Sequence, residues 1–183
     1  TQVLGITSNQ ATVQVAGVVA GNARLERDTA TPNQRAEMPL TVWTPQALGL
    51  THLGIALRYS ASATSYYRFY ADDAPVEALF AFRLDKVTAG TGAGLAAAAI
   101  NPTQGDALKF EAENNAAVSA VTLRAYLNNS LVFNYVDASS PFLTQTRGGL
   151  YGLKLIAGDG AATASLLLED IPTVYVRPTP ISA

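Results

Sequence analysis

The stretch ALRYSASATSYYRFYADD, residues 56–73, gathers a dense set of side chains able to hold a ligand. Strand alternation sets Tyr66, Arg68 and Tyr70 on one face and Tyr67 and Phe69 on the other. Across the SASATS loop it sets Arg58 with Gly54 and Ala56, opposite Leu53, Ile55, Leu57 and Tyr59. Tyrosine rings stack on sugar faces, and guanidinium forks bind hydroxyls or carboxylates, so Arg58, Tyr66, Arg68 and Tyr70 form a candidate glycan surface. The same four side chains also suit a cross-strand ladder that simply covers a sheet, and both readings stand.

Catalytic constellations are weaker. His52, in LTHLG, is the single histidine, so a Ser-His-Asp relay would have to pass through it, and no GxSxG elbow supplies a nucleophile. It is expected to be structural. Glycoside hydrolysis needs two carboxylates roughly 5–10 Å apart. The nearest sets, Glu111 with Glu113 in FEAEN and Glu169 with Asp170 in LLLEDI, do not space three acids on one strand face, and solvated strand edges explain them.

Asp72, Asp73 and Glu77 crowd one loop, where carboxylates repel unless a hard cation such as calcium sits among them. A polar turn is the expected reading, with no cofactor, and loop calcium near Asp72 and Asp73 is the alternative. AGTGAG, 89–94, is followed by no helix and no Lys-Ser/Thr pair, so it reads as a hairpin turn and not a phosphate loop.

Composition narrows the partners. Only 14% of residues are charged while 49% are hydrophobic, against about 25% charged in ordinary domains, so much of the exterior must be neutral. That suits an assembly. The net charge is −2 with scattered Lys and Arg, so no cationic stripe exists for nucleic acid or an anionic membrane. Cysteine is absent, which removes disulfides and thiolate metal sites. The longest strongly apolar run, GLAAAAI at 94–100, is far short of the ~20 residues that span a bilayer. No basic-then-apolar leader opens the sequence, and a start after a removed initiator methionine is the expectation.

The elements that must carry these residues are strands. Period-two runs such as ATVQVAG, LGIALRY, SYYRFYA, ALKFEAE, VTLRAYL and LVFNYVD alternate with turn-formers such as TPNQ, DDAP, NPTQGD and ENNA. That spacing predicts an antiparallel sandwich or barrel. In LNNS, 127–130, two asparagines stand where a tight hairpin needs positive φ, predicting a turn between strands 121–127 and 130–136. Simple register leaves both faces of that hairpin apolar, with Leu123, Ala125 and Leu127 beside Val132, and Tyr126 beside Leu131, Phe133 and Tyr135. The expected organisation is one domain over 1–176, with 1–10 an N-terminal arm, and an extended Pro-rich tail over 177–183.

In chain order, LGIALRYSASATSYYRFYA, ALFAFRLDKVTAGTGAGLAAAA, GDALKFEAE, VTLRAYLNNSLVFNYVDAS, GGLYGL and ASLLLEDIPTVYV resemble concanavalin-like and laminin-G-like jelly-roll modules, over nearly the whole chain. RAEMPLTVW, GDALKFEAE and the short length are most similar to such modules in bacteriophage tail and other virion proteins and in secreted bacterial proteins. The resemblance implies an all-β, antiparallel two-sheet jelly roll. It also implies a non-catalytic virion structural, decoration or adhesion module. Its partners would be other virion or assembly subunits in an oligomer, with a cell-surface glycan as a further ligand. A secreted carbohydrate-binding module is the first alternative, and an atypical glycoside hydrolase using Glu111 or Glu113 the second.

Overall fold

The computed structural model describes residues 3–7, 10–15, 21–28, 31–40, 42–43, 51–62, 64–72, 82–154 and 162–167. These form β1 (Val3–Thr7), β2 (Gln10–Val15), β3 (Gly21–Asp28), β4 (Gln34–Pro39), β5 (Val42–Trp43), β6 (Thr51–Tyr59) and β7 (Tyr66–Asp72). Then follow β8 (Phe82–Thr88), β9 (Thr91–Ala98), β10 (Ala107–Asn115), β11 (Ala120–Leu127), β12 (Ser130–Asp137), β13 (Arg147–Lys154) and β14 (Ala162–Leu167). There is no helix among the described residues, and so none long and apolar enough to cross a membrane.

The strands pair antiparallel in three ladders, ordered β3-β13-β6-β7-β8-β9, β12-β11-β10-β4 and β1-β2-β14-β5. β14 runs alongside β4, so the two four-stranded ladders make one layer opposite the six-stranded sheet. This is an antiparallel sandwich, as the alternating runs predict, and the jelly roll that the resemblance implies. Within the segment read as an arm, Val3–Thr7 pairs with β2. The tail over 177–183 and the pair Glu169 and Asp170 lie outside the described residues.

The core fills from both layers by strand alternation. Ile55, Phe69 and Leu84 of the six-stranded sheet meet Met38, Phe110 and Leu123 of the facing one, all fully buried. Phe69 sits at the centre, its ring 5.9 Å from Phe82, 6.2 Å from Phe110 and 6.0 Å from Phe133. Each such ring taken out of water contributes about 2–3 kcal/mol.

Two strands break simple alternation, and each break redirects side chains. In the 127–130 hairpin, Asn128 and Asn129 take φ of 51° and 66°, as their residue type predicts. The register then shifts, Tyr126 opposing Leu131 but Ala125 opposing Phe133, so Val132 is the extra residue. Phe133 therefore joins Leu123 and Ala125 in the core, Tyr135 packs against that cluster, and Leu131 stays outside with Tyr126. The apparent two-faced apolarity came from counting through this bulge.

The second break is at Arg58, where φ is 62° and β13 shifts register between Arg147 and Gly148. Tyr59 moves to the outer face beside Ala56, and Arg58 turns inward, reversing the arrangement expected from alternation. Arg58 is 0% exposed. Its backbone N–H donates to Gln34 Oε1 at 2.8 Å. Its guanidinium donates to Asn114 Oδ1 (2.9 Å), the Phe142 carbonyl (2.7 Å) and the Ala112 carbonyl (3.2 Å). Burial pulls its pKa down to about 10, which still leaves it charged at neutral pH. It is an internal strut between layers, not part of a glycan surface.

Arg58→Met should therefore lower unfolding free energy by roughly 2–5 kcal/mol, because buried carbonyls that lose their donor cost about 1–3 kcal/mol each. Urea midpoints measure this; a variant as stable as the native chain would contradict the strut.

Candidate functional site

β7 is a run of aromatic and β-favouring residues, so it forms an interior strand with both faces in use. Its outward side chains pair with β8 as Tyr66 with Val87, Arg68 with Asp85, and Tyr70 with Arg83. On the other flank Gly54 of β6 faces both Tyr70 and Tyr151 of β13. Glycine is required there, since a Cβ at Gly54 would sit 2.1 Å from the Phe69 carbonyl oxygen and 2.5 Å from Tyr70 Cα.

The register brings three of the four sequence-selected residues together. Arg68 donates from Nε (2.9 Å) and Nη2 (2.6 Å) to Asp85 Oδ2, and Tyr70 Oη donates to the same oxygen at 2.9 Å. Arg68 Nη1 donates to Tyr151 Oη. The guanidinium carbon lies 4.6 Å from the Tyr70 ring centre and 4.9 Å from that of Tyr151. Tyr66 packs on Tyr59 at 4.6 Å and on Tyr151 at 6.0 Å.

Burial changes the meaning of this cluster. Tyr70 is 1% exposed, Tyr151 2% and Tyr66 9%, so the rings clasp one another and Arg68 and present no open stacking platform. Burial alone would lower the Arg68 pKa, but Tyr151, Tyr70 and Asp85 together hold it above its ordinary value. Burial and then Asp85 raise Tyr70, and burial, opposed by Arg68, pushes Tyr151 up to about 12.

The pair is bordered by β9. Gly92 and Gly94 are exposed, and a methyl group at Gly92 would lie 3.3 Å from Arg68 Nη2, one at Gly94 3.8 Å from Asp85 Oδ1. The three hydrogen bonds to Asp85 all converge on Oδ2, so Oδ1 faces this glycine floor. AGTGAG contributes only Ala89 and Gly90 to the hairpin turn, with φ of 50° and 86°, and Thr91–Gly94 already belongs to β9. The six-residue turn expected there is thus a two-residue one.

The other candidates are used elsewhere. His52 is buried, 4.7 Å from the Tyr70 ring, with Nε2 3.1 Å from Asp72 Oδ1. Arg83 Nη1 approaches Asp72 Oδ2 at 3.4 Å. Asp72 thus lies between His52 and Arg83, with Oδ1 buried and accepting no hydrogen bond, while Asp73 and Glu77 lie outside the described residues. Among the described residues no group of three metal-ligating side chains gathers.

Glu111 and Glu113 lie on the opposite layer, facing out, and share Arg124 at 3.9 Å and 2.7 Å. Glu111 also approaches Arg35 at 3.7 Å and accepts from Tyr126 Oη at 3.1 Å. Lys109 caps the Tyr126 ring at 3.9 Å. They form a cross-strand polar ladder.

Sequence reasoning missed a second knot. Tyr67 Oη and Lys86 Nζ both donate to Asp137 Oδ2, at 2.5 Å and 2.6 Å. Lys86 also donates to the carbonyls of Ser139 (2.5 Å) and Ser140 (3.0 Å), and Phe142 N donates to Tyr67 Oη at 3.2 Å. It missed Asp85 and Tyr151 as well, although in FRLDK the alternation of Phe82 and Leu84 with Arg83 and Asp85 sets the two charges together, away from the core.

No family model and no curated protein matches this chain. Solved structures do. The carbohydrate binding module CBM66 from Bacillus subtilis aligns with a TM-score of 0.54 at 17% identity, over 91% of this chain and 88% of that one. A human SPRY domain aligns with a TM-score of 0.51 at 12% identity, over 91% and 96%. At these identities the likeness is one of fold.

The buried phenols make stability fall in alkali. Tyr151 keeps its proton to about pH 12 when folded but releases it near pH 10 when unfolded. Its contribution, complete below pH 10, is lost as pH climbs through 12, on the order of 2 kcal/mol. Unfolding midpoints at pH 9 and 11.5, with phenolate absorbance followed in parallel, measure it. Tyr151→Phe should flatten the slope, and a pH-independent midpoint would count against it.

Proposed function

We propose that this chain is a non-catalytic contact module that binds carbohydrate hydroxyls on the glycine floor of β9, beside the Arg68–Asp85 pair. The observation that carries this reading is the one-sided use of Asp85: among the described residues every donor to it goes to Oδ2, and Oδ1 is turned with Arg68 Nη2 toward Gly92 and Gly94. A sugar hydroxyl both donates and accepts, so neighbouring hydroxyls satisfy a carboxylate oxygen and a guanidinium edge together. Tyr70 and Tyr151 hold the pair rigid, so little side-chain freedom is lost on binding. Tyr66 and Tyr70 act from below, and Arg58 acts on the fold alone.

The sharing of this fold with a carbohydrate binding module supports the ligand class. The engagement of Glu111 and Glu113 with Arg124 and Tyr126 supports a module without hydrolytic chemistry. A second reading, attachment among subunits of an assembled particle such as a virion, is supported by the charge-poor exterior and by exposed Ile100, Val118, Leu131 and Val136. A secreted setting suits the first reading and a virion surface suits either.

Gly94→Val is the discriminating variant, because its backbone is ordinary, valine favours strands, and the added Cβ meets Asp85 Oδ1 at an ordinary van der Waals distance of 3.8 Å, covering the floor without a clash. It should keep the native melting temperature and lose retention on polysaccharide affinity gels at least tenfold; Asp85→Asn should lose retention to the same degree. Silence of the native chain across a broad glycan array, or full retention by Gly94→Val, would refute the site. Release of reducing ends from any bound polysaccharide would refute the non-catalytic reading.

A further inference from the structure

β12 is the outermost strand of its ladder among the described residues. Its segment LVFNYV, 131–136, contains no charge, no proline and no glycine. Exposed edge strands are ordinarily guarded by just such residues, because their unpaired backbone groups recruit another strand. The one charge on β12, Asp137, is buried and taken by Tyr67 and Lys86. Leu131 and Val136 are meanwhile 53% and 50% exposed.

The bulge at Val132 gives this edge a self-complementary pattern. It places Asn134 outward beside Arg124, with the Leu131–Val132 step on one side and Val136 on the other. Reversing the strand about Asn134 reproduces the sequence of apolar, amide, apolar. Nearby charge does not oppose a like copy: Arg124 is neutralised by Glu113 and Glu111, and on the facing sheet residues 87–105, which include β9, carry no charged side chain.

We propose that a second copy of this chain docks along β12, the two strands pairing antiparallel about a two-fold axis at Asn134. Asn134 then opposes Asn134 of the second copy, Phe133 opposes Tyr135 on the core side, and Val136 covers Leu131 of the bulge on the outer side, Val132 being packed against the core. The contact is isologous and closes at two chains. It joins the two β4-β10-β11-β12 ladders edge to edge and leaves the β9 floor of each copy on its own sheet.

Sedimentation equilibrium should give twice the 19.2 kDa chain mass for the native protein and a single-chain mass for Val136→Lys, which adds an edge charge at an exposed position. Because the chain has no cysteine, Asn134→Cys supplies a second readout. Directly opposed residues have Cβ atoms about 4.5–5.5 Å apart, close enough for a disulfide after slight adjustment. Asn134→Cys should crosslink into dimers under mild oxidation, while Ser62→Cys, in an exposed loop, should not. A native protein of single-chain mass at every concentration, a Val136→Lys variant that stays dimeric, or equal crosslinking at both cysteines would overturn the proposal.

Discussion

A guanidinium sealed between two sheets must find buried acceptors across the layer boundary, and that requirement at Arg58 organises much of this molecule. The positive φ that turns Arg58 inward costs backbone strain, which only a well-determined surrounding can hold. That surrounding is Gln34, Ala112, Asn114 and Phe142, from the facing layer and the loop beyond it. The same turn carries Tyr59 to the outer face, where it completes the packing of Tyr66 against Tyr151. One bulged residue therefore locks the layers and helps to build the aromatic bed under Arg68.

That bed shows a division of labour between rings and charges. Tyrosines that alternation places on an outer face need not be contact residues; here they are buried scaffolding that fixes the orientation of one ion pair. The pair is flanked by β9, where Gly92 and Gly94 place no side chain over it. The opposite layer differs, its ladder of Arg35, Glu111, Arg124 and Glu113 open and internally neutralised. The two layers thus differ: one fixes a mostly buried ion pair among rings, the other spreads a balanced polar ladder over its exterior.

How far the sequence anticipates this depends on whether a feature is local. The Asn128–Asn129 turn was legible because positive φ is a preference of the residues themselves. The shared face of Tyr66, Arg68 and Tyr70 was legible because alternation is a property of any strand. Their burial was not, since it depends on Tyr151 and Tyr59, reached through pairing with β13 and through the bulge. Bulges at Arg58 and Val132 escaped for a related reason: an extra residue leaves no mark in the alternation and is decided by the partner across the ladder. Asp85 was visible as a polar residue facing away from the core, but its pairing with Arg68 required the β7–β8 register.

The knot of Tyr67, Lys86 and Asp137 bears on how such a chain is made. Its members are separated by as many as 70 residues, and the lysine is further satisfied by carbonyls at 139 and 140. During synthesis the β7–β8 hairpin must wait, holding an ammonium and a phenol with no matching carboxylate, until residue 137 has left the ribosome. Nascent chains that stop short of this residue cannot complete the knot, so the domain is indivisible in time as well as in space, and its consolidation waits on the arrival of Asp137.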